Sequence, residues 1–382
     1  MEVLHAIERW PQERILAQVE SASLADVDRV LAQEERELRD LPILFSAAAA
    51  QRLEPMAREA QRLTRRHFGR TIGLYVPLYL SNVCGADCAY CGYAVRSGIK
   101  ERRVTLKPDE IHRECQRLAE LGFQSVLLLT GEAPRVTPVG YIAQAVDIAR
   151  TYFPSVAIEV HSLEHEDYRH LAEHGLDGVT IYMETYDREV YKKVHLLGQK
   201  KDYVYRLGAI ERAGKAGVRR LSIGALLGLA DWRVDAFYLA VHGLHVQRTC
   251  WQSALSLSFP RLQHAPERFK IPRLVSDREL VQLMLALRLV LPEAGFNLST
   301  REAPALRDRM IPLGVTTMSA GSSTRPGGYV THGEGTLEQF AIEDHRSPQE
   351  VAAAIRGAGY DPVWKDFDHA FDSAESAGYS LA

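Results

Sequence analysis

The sequence predicts an α/β protein of the (β/α)8 barrel class, with a helical extension before the barrel and a cap after it. Three observations carry that expectation. From Gly73 onward short β-prone runs alternate with amphipathic helices, eight such runs are present, and the chemically unusual residues fall just after their ends. The runs are Leu74–Ser81, Ser125–Thr130, Val156–His161, Gly178–Glu184, Leu221–Leu227, Ala254–Phe259, Phe296–Thr300 and Val315–Ser319. Helical periodicity fits Pro108–Leu121, Tyr141–Tyr152, Glu166–His174, Asp202–Ala216, Trp232–Cys250 and Asp277–Leu291 between them. A doubly wound open sheet shares this alternation, and periodicity alone leaves closure open.

Residues 1–70 are rich in Glu, Arg, Leu and Ala and carry no strand pattern. Apolar spacings of three and four over Ser23–Glu34 and Ile43–Arg65 predict helices there. The expected organisation is therefore a helical extension over 1–70, the barrel over 71–324 and a C-terminal extension over 325–382. The last is Gly-rich, then helical over Ser347–Gly357, and is expected to cover one barrel end.

The length of 382 residues accommodates a barrel with extensions. The net charge of −3 is small and both signs are interspersed, so no nucleic-acid or membrane surface is marked. No run approaches the roughly 20 apolar residues of a membrane span. The stretch Val281–Leu291 comes nearest, but Gln282 and Arg288 interrupt it. Met1–Leu31 is acidic and helix-like rather than a signal peptide, so a cytoplasmic location is expected.

Five cysteines, an odd number with three inside eight residues, argue for metal or cluster binding in a reducing compartment rather than for disulfides. Cys84, Cys88 and Cys91 are separated by three and two residues. Thiolates are soft ligands suited to iron–sulfur clusters or zinc. A closed zinc site needs a fourth ligand. The nearest candidates are Cys115 and His112, but Cys115 is in register with Ile111, Leu118 and Ala119 on an apolar helix face, where ordinary core packing is expected. Cys250 lies in an apolar helix end and reads the same way. Three thiolates on a four-iron cluster leave one iron open to the amine and carboxylate of a small molecule.

This spacing, with Tyr90 directly before the last cysteine, resembles the signature of the radical S-adenosylmethionine (SAM) superfamily. The resemblance implies a [4Fe-4S] cluster on Cys84, Cys88 and Cys91, SAM chelated to the open iron, and Tyr90 near the adenine. Thr130-Gly131-Glu132 resembles the motif that holds the SAM amino group, with Thr in place of its first Gly. The segment from Gly224 to Asp231 resembles the motif flanking the adenine, with Asp in place of the usual Glu. Glu184 and Arg206 resemble residues that contact the SAM ribose and carboxylate, although the helix of Arg206 could equally be solvated. Glu159, on the third strand, either faces the barrel interior, where it needs an amine or ribose donor, or points outward into a salt bridge.

The resemblance narrows further. Leu78-Tyr-Leu-Ser-Asn82, Cys91-Gly-Tyr93, Leu129-Thr-Gly-Glu132, Glu184-Thr-Tyr186, Ser258-Phe-Pro-Arg-Leu262, Leu298-Ser-Thr-Arg-Glu302, Pro326-Gly-Gly-Tyr329 and Val363-Trp-Lys-Asp366 are similar to the aromatic amino acid lyases, above all the 2-iminoacetate synthase family. That resemblance implies cleavage of L-tyrosine between Cα and Cβ to 2-iminoacetate and 4-cresol. It also implies an external one-electron donor of flavodoxin or ferredoxin type and association with a thiazole synthase. A related tyrosine lyase that matures iron-only hydrogenase carries a second cluster on C-terminal cysteines. This sequence has none after Cys250, which favours the thiazole role. A buried tyrosine carboxylate needs a charge partner, and Arg301, just past strand seven, is the candidate. Ser319 and Tyr79 match positions lining the amino acid in relatives. His195 and Lys200 either assist proton transfer or hold a loop. Rival readings are a lyase for tryptophan, a lyase of hydrogenase maturation or deazaflavin assembly, and a non-catalytic iron–sulfur protein.

Overall fold

The computed structural model describes residues 2–333 and 335–365. Five helices come first: α1 (Glu2–Glu8), α2 (Gln12–Ser21), α3 (Leu24–Leu31), α4 (Leu41–Leu44) and α5 (Leu53–Phe68). The periodic run expected over Ile43–Arg65 is thus two helices and not one. The break has a cause: Gln282 takes the carbonyl oxygens of Leu44 and Ser46 at 3.0 and 2.9 Å, so they cap a neighbouring helix instead of continuing their own.

The barrel alternates β1 (Thr71–Ser81), α6 (Pro108–Glu120), β2 (Ser125–Thr130), α7 (Val139–Arg150), β3 (Ser155–Glu159), α8 (His165–Glu173) and β4 (Gly178–Glu184) in its first half. After β4 come α9 (Arg188–Val194), α10 (Tyr203–Leu207) and α11 (Ala209–Lys215), then β5 (Arg220–Ala225), α12 (Trp232–Thr249), β6 (Ala254–Ser258), α13 (Asp277–Val290), β7 (Gly295–Leu298), α14 (Pro304–Met310) and β8 (Thr317–Ser319). All pairings are parallel, and β1 pairs with both β2 and β8, so the sheet closes and the open-sheet alternative falls. The single helix expected over 202–216 is interrupted at Gly208, which separates α10 from α11.

Side-chain parity along the strands divides the core. On β1, Ile72, Leu74, Val76, Leu78 and Leu80 are fully buried, against the helices. The alternate residues Tyr75, Pro77 and Tyr79 line the barrel cavity. The helical layer is buried on its inner face, and α13 buries nearly its whole length because α5 covers its outer side.

After the barrel, α15 (Pro348–Gly357) starts with a Ser347/Glu350 capping box and leads into β9 (Asp361–Val363), which pairs with the start of β1. This ninth strand was not expected: three residues with a central proline offer no period to detect. Asp366, the last residue of one resembling stretch, lies outside the described residues. The segment between β8 and α15 folds back across the barrel and is pinned by Glu114, a fully buried carboxylate on α6. Glu114 accepts hydrogen bonds from the backbone N–H groups of Tyr329, Val330 and Thr331 at 3.0, 2.9 and 2.7 Å, and from the Thr331 hydroxyl at 3.0 Å.

Replacing Glu114 leaves those buried donors unpaired. Glu114→Ala is expected to cost on the order of 3 kcal/mol in urea unfolding and to expose the 325–345 segment to trypsin before the barrel is cut. Unchanged midpoint and cleavage order would show that the tail is held by something else.

Candidate active site

One cavity of about 360 Å³ opens at the C-terminal ends of the strands. Of the residues singled out from sequence, Tyr79, Tyr90, Cys91, Glu159, Glu184, Arg301 and Ser319 line it directly. They come from β1, β3, β4, β8, the cysteine loop and the turn after β7, which only closure brings to one rim.

The cysteine loop follows a bulge in β1 and is held by backbone on two sides. On one side Gly85 N–H donates to the carbonyl of Glu132 at 2.8 Å and Gly131 N–H to that of Ser81 at 2.8 Å. A Cβ on Gly131 would overlap the Val83 carbonyl and come within 3.1 Å of Cys84 Cβ, so glycine is required by close approach. On the other side Ala89 N–H donates to Val194 O at 2.8 Å and Leu196 N–H to Asp87 O at 2.8 Å. Asp87, buried, pairs with Arg268 at 3.0 Å.

The three thiols are unpaired and adjacent, Cys88 buried and Cys84 and Cys91 half-buried. Burial pushes all three thiols up, Cys84 to about 11, so their ligating thiolate form requires a nearby positive centre. A single zinc ion needs sulfurs about 2.3 Å from one point. Among the described residues no three His, Cys, Asp or Glu side chains are grouped to hold one metal ion. A four-iron cluster takes each thiolate on a different iron and suits the wider set. Cys115 is fully buried in the core, away from any such role, and Cys250 packs on Gly214.

The SAM-like motifs divide. Thr130 ends β2 with its buried hydroxyl unpartnered, a free polar group beside the cysteine loop. Glu132 accepts from Lys200 N–H at 2.6 Å. Glu184 holds Lys200 Nζ at 2.6 Å and is the one non-glycine residue, among those described, with a positive φ, 68°. That strained backbone sits where β4 shifts register against β5. Arg206 is buried, its Nε donating to Tyr182 O at 2.7 Å and its guanidinium 3.9 Å from Glu132, so the solvated alternative is excluded. Gly224 does not line the cavity; a Cβ there would meet Ser258 O and Tyr182 Cδ1, both at 2.7 Å, which is close packing. Asp231, at the end of that motif, caps α12 and pairs with Arg273 at 2.6 Å.

Glu159 faces the interior. Burial first, and then neighbouring Glu184, raise its pKa to about 7. Tyr79 donates its hydroxyl to Gln339 Oε1 at 2.7 Å, and Ser319 Oγ accepts from Thr300 N–H at 3.2 Å. Arg301 stacks on Phe340 with its guanidinium carbon 3.3 Å from the ring centre. Among the described residues no carboxylate lies within ion-pair distance of Arg301, and burial lowers its pKa. His195 is fully buried. Its Nδ1 lies 3.0 Å from Tyr191 O, an acceptor, so Nδ1 carries the proton and Nε2 accepts from the Tyr90 hydroxyl at 2.9 Å.

Sequence reasoning missed the roof. Glu338, Gln339 and Phe340 line the cavity from the C-terminal segment, with no periodic pattern to mark them. The inward Tyr75, Tyr182 and Asn297 were legible as polar residues at interior parity of their strands.

Behind the rim, Asp235 of α12 accepts from Thr185 Oγ1 at 2.9 Å and Tyr186 N–H at 2.7 Å, fixing the turn that follows Glu184.

The chain matches the description of the radical SAM superfamily over residues 78–238 and of the biotin and thiamin synthesis associated domain over 258–361. It is 43% identical, over 94% of its length and 96% of theirs, to the 2-iminoacetate synthases of Salmonella typhimurium and Escherichia coli. Its fold superposes on the hydrogenase maturase HydG of Carboxydothermus hydrogenoformans with a TM-score of 0.87, 28% identity, and coverage of 96% of this chain and 85% of that one. Methylornithine synthase PylB, at 22% identity and a TM-score of 0.70, covering 89% of this chain and 97% of that one, shares the fold.

Burial raises the Asp235 pKa from 3.8 to about 7. Between those values the folded chain keeps a proton that the unfolded chain has lost, so this group makes stability fall as pH rises through the window. Asp235→Asn keeps the acceptor and removes the titration. The native chain should lose stability relative to the variant by up to about 1.4 kcal/mol per pH unit across the window, measured as unfolding free energy against pH. Parallel curves would refute the assignment.

Proposed function

The chain belongs to the 2-iminoacetate synthase family of radical SAM enzymes, and from that premise we infer how its own residues serve the reaction. It is a carbon–carbon lyase that splits L-tyrosine between Cα and Cβ into 2-iminoacetate and 4-cresol, in service of the thiamine thiazole. When bound, the [4Fe-4S] cluster and SAM supply a 5′-deoxyadenosyl radical, leaving 5′-deoxyadenosine and methionine after turnover.

In this reading Cys84, Cys88 and Cys91 hold the cluster. Thr130, Gly131, Glu132, Glu159, Glu184, Arg206 and Gly224, with Tyr90, form the SAM side of the cavity. The unpartnered Thr130 hydroxyl and the inward Glu159 carboxylate support a ligand with donors to offer. Arg301 binds the tyrosine carboxylate, with Ser319 and Tyr79 lining the amino acid. The observation that carries this assignment is Arg301 itself, a buried cation facing the cavity without an anionic partner among the described residues. Stacking on Phe340 fixes its plane, so a substrate carboxylate meets a preoriented guanidinium. His195 orients the Tyr90 ring through its hydroxyl. The roof over 338–340 excludes water from the reacting carbons.

No helix among the described residues is long and apolar enough to cross a membrane. The reading adds an external one-electron carrier of flavodoxin or ferredoxin type, a thiazole synthase that consumes the reactive iminoacetate, and a cytoplasmic setting. Their support is chemical need: the chain holds no electron source of its own, and an imine hydrolyses in water.

Anaerobic reconstitution with iron and sulfide, then SAM, dithionite and tyrosine, should yield 4-cresol and glyoxylate, the hydrolysis product of iminoacetate. Indole products would point to tryptophan instead. Cys84→Ala is expected to lose bound iron, the cluster absorbance and all SAM cleavage. Arg301→Ala should weaken tyrosine binding about 10- to 100-fold, as expected for losing charge-assisted hydrogen bonds, while SAM is still cleaved without matching cresol. Unaltered tyrosine affinity in that variant would refute the carboxylate role.

A further inference from the structure

We propose that the exposed face over residues 86–89 docks a small acidic electron-carrier protein, which passes one electron to the cluster held by Cys84, Cys88 and Cys91. The inference rests on the radical SAM reading, which needs a reductant from outside the chain. One electron leaves the carrier's reduced centre, which is oxidised by one; the cluster is reduced by one, and no atom is transferred.

The face is built from two segments that clasp the cysteine loop. Val95 N–H donates to Ala86 O at 2.9 Å, and Asp87 exchanges backbone hydrogen bonds with Leu196 and Leu197 at 2.8 and 3.2 Å. This seats three apolar side chains beside the loop, yet Val95, Leu196 and Leu197 remain 52%, 42% and 36% exposed. Apolar groups left open together mark a contact surface. Gly198 lies against Ala86 so closely that a Cβ would sit 2.8 Å from its Cα, so the clasp adds little thickness over the ligands.

The surrounding charge has one sign. Segments 95–100 and 192–201 contain Arg96, Lys100, Lys192, Lys193, Lys200 and Lys201 and no Asp or Glu, in a chain whose net charge is −3. Lys200 turns inward to Glu184, and the other five are exposed. Arg268 extends the positive rim from a third segment, bonded to Arg96 O at 2.7 Å and Cys88 O at 3.2 Å. The one acidic group in the loop, Asp87, is buried beneath Arg268 and neutralised by it. A second copy of this chain would present the same positive face and be repelled, whereas an acidic carrier is steered to it. A small apolar centre inside a basic rim suits the brief encounters of electron transfer.

The test uses the reconstituted full chain with a purified flavodoxin as the probe, under exclusion of oxygen. Binding is measured by interferometry and reduction of the cluster by stopped-flow absorbance. Arg96→Glu/Lys193→Glu and Leu196→Ser/Leu197→Ser are the patch variants, and Arg248→Glu, exposed at the end of α12, is the remote control. Both patch variants should bind flavodoxin about tenfold or more weakly and be reduced by it correspondingly slowly, while Arg248→Glu matches the native chain. The native affinity should fall with added salt. Reduction by dithionite, a small ion that needs no docking face, should be equal in all. Native-like binding and reduction of the patch variants would overturn the proposal. So would a change in the chain's own oligomeric state on light scattering, which would make the face a self-contact. If dithionite fails to reduce the native protein, the cluster reading itself falls, and the docking face with it.

Discussion

The double pairing of β1 is the constraint on which the rest depends. Its N-terminal half hydrogen-bonds to β8 and its C-terminal half to β2, so three strand ends meet at one rim. The cysteine loop leaves β1, Gly131 follows β2 and Ser319 ends β8, and none of these would adjoin in an open sheet. The bulge between Tyr79 and Ser81 then turns the chain from an inward-facing tyrosine to the ligand loop within five residues.

Buried charge does two separate jobs in this fold. Glu114 and Asp235 are satisfied mainly by backbone donors and hold segments in place. So does Arg307, which joins buried Asp344 to the carbonyl of Ser319 and thereby fixes the end of β8. Arg301 and Glu159 are different, because they line the cavity and no ion-pair partner is found for either among the described residues. Burial alone does not pick out chemistry; burial with an unanswered charge does.

Much of this was legible in the sequence. Two of the eight barrel strands, Ser125–Thr130 and Gly178–Glu184, fall where their β-prone runs predicted, and the others differ by up to three residues at an end. The cysteine spacing pointed to a cluster, and Arg301 could be placed because strand ends gather at one rim. What stayed hidden had no local code. Gln339 and Phe340 reach the cavity through a return path set by Glu114, more than two hundred residues away. The left-handed backbone at Glu184 is imposed by a register shift, on a residue type that does not favour it. The inward turn of Arg206 depends on the Tyr182 carbonyl, a tertiary partner invisible to helical periodicity.

Gly92, immediately after the last ligand, carries a further consequence. A Cβ there would stand 2.9 Å from Gln339 O and 3.0 Å from Glu338 O, so the roof rests on the ligand loop with no cushion between. The two cannot be disturbed separately. Oxygen damage that strips the iron therefore also unseats the ceiling over the amino acid, and an aerated chain forfeits its choice of substrate together with its redox power.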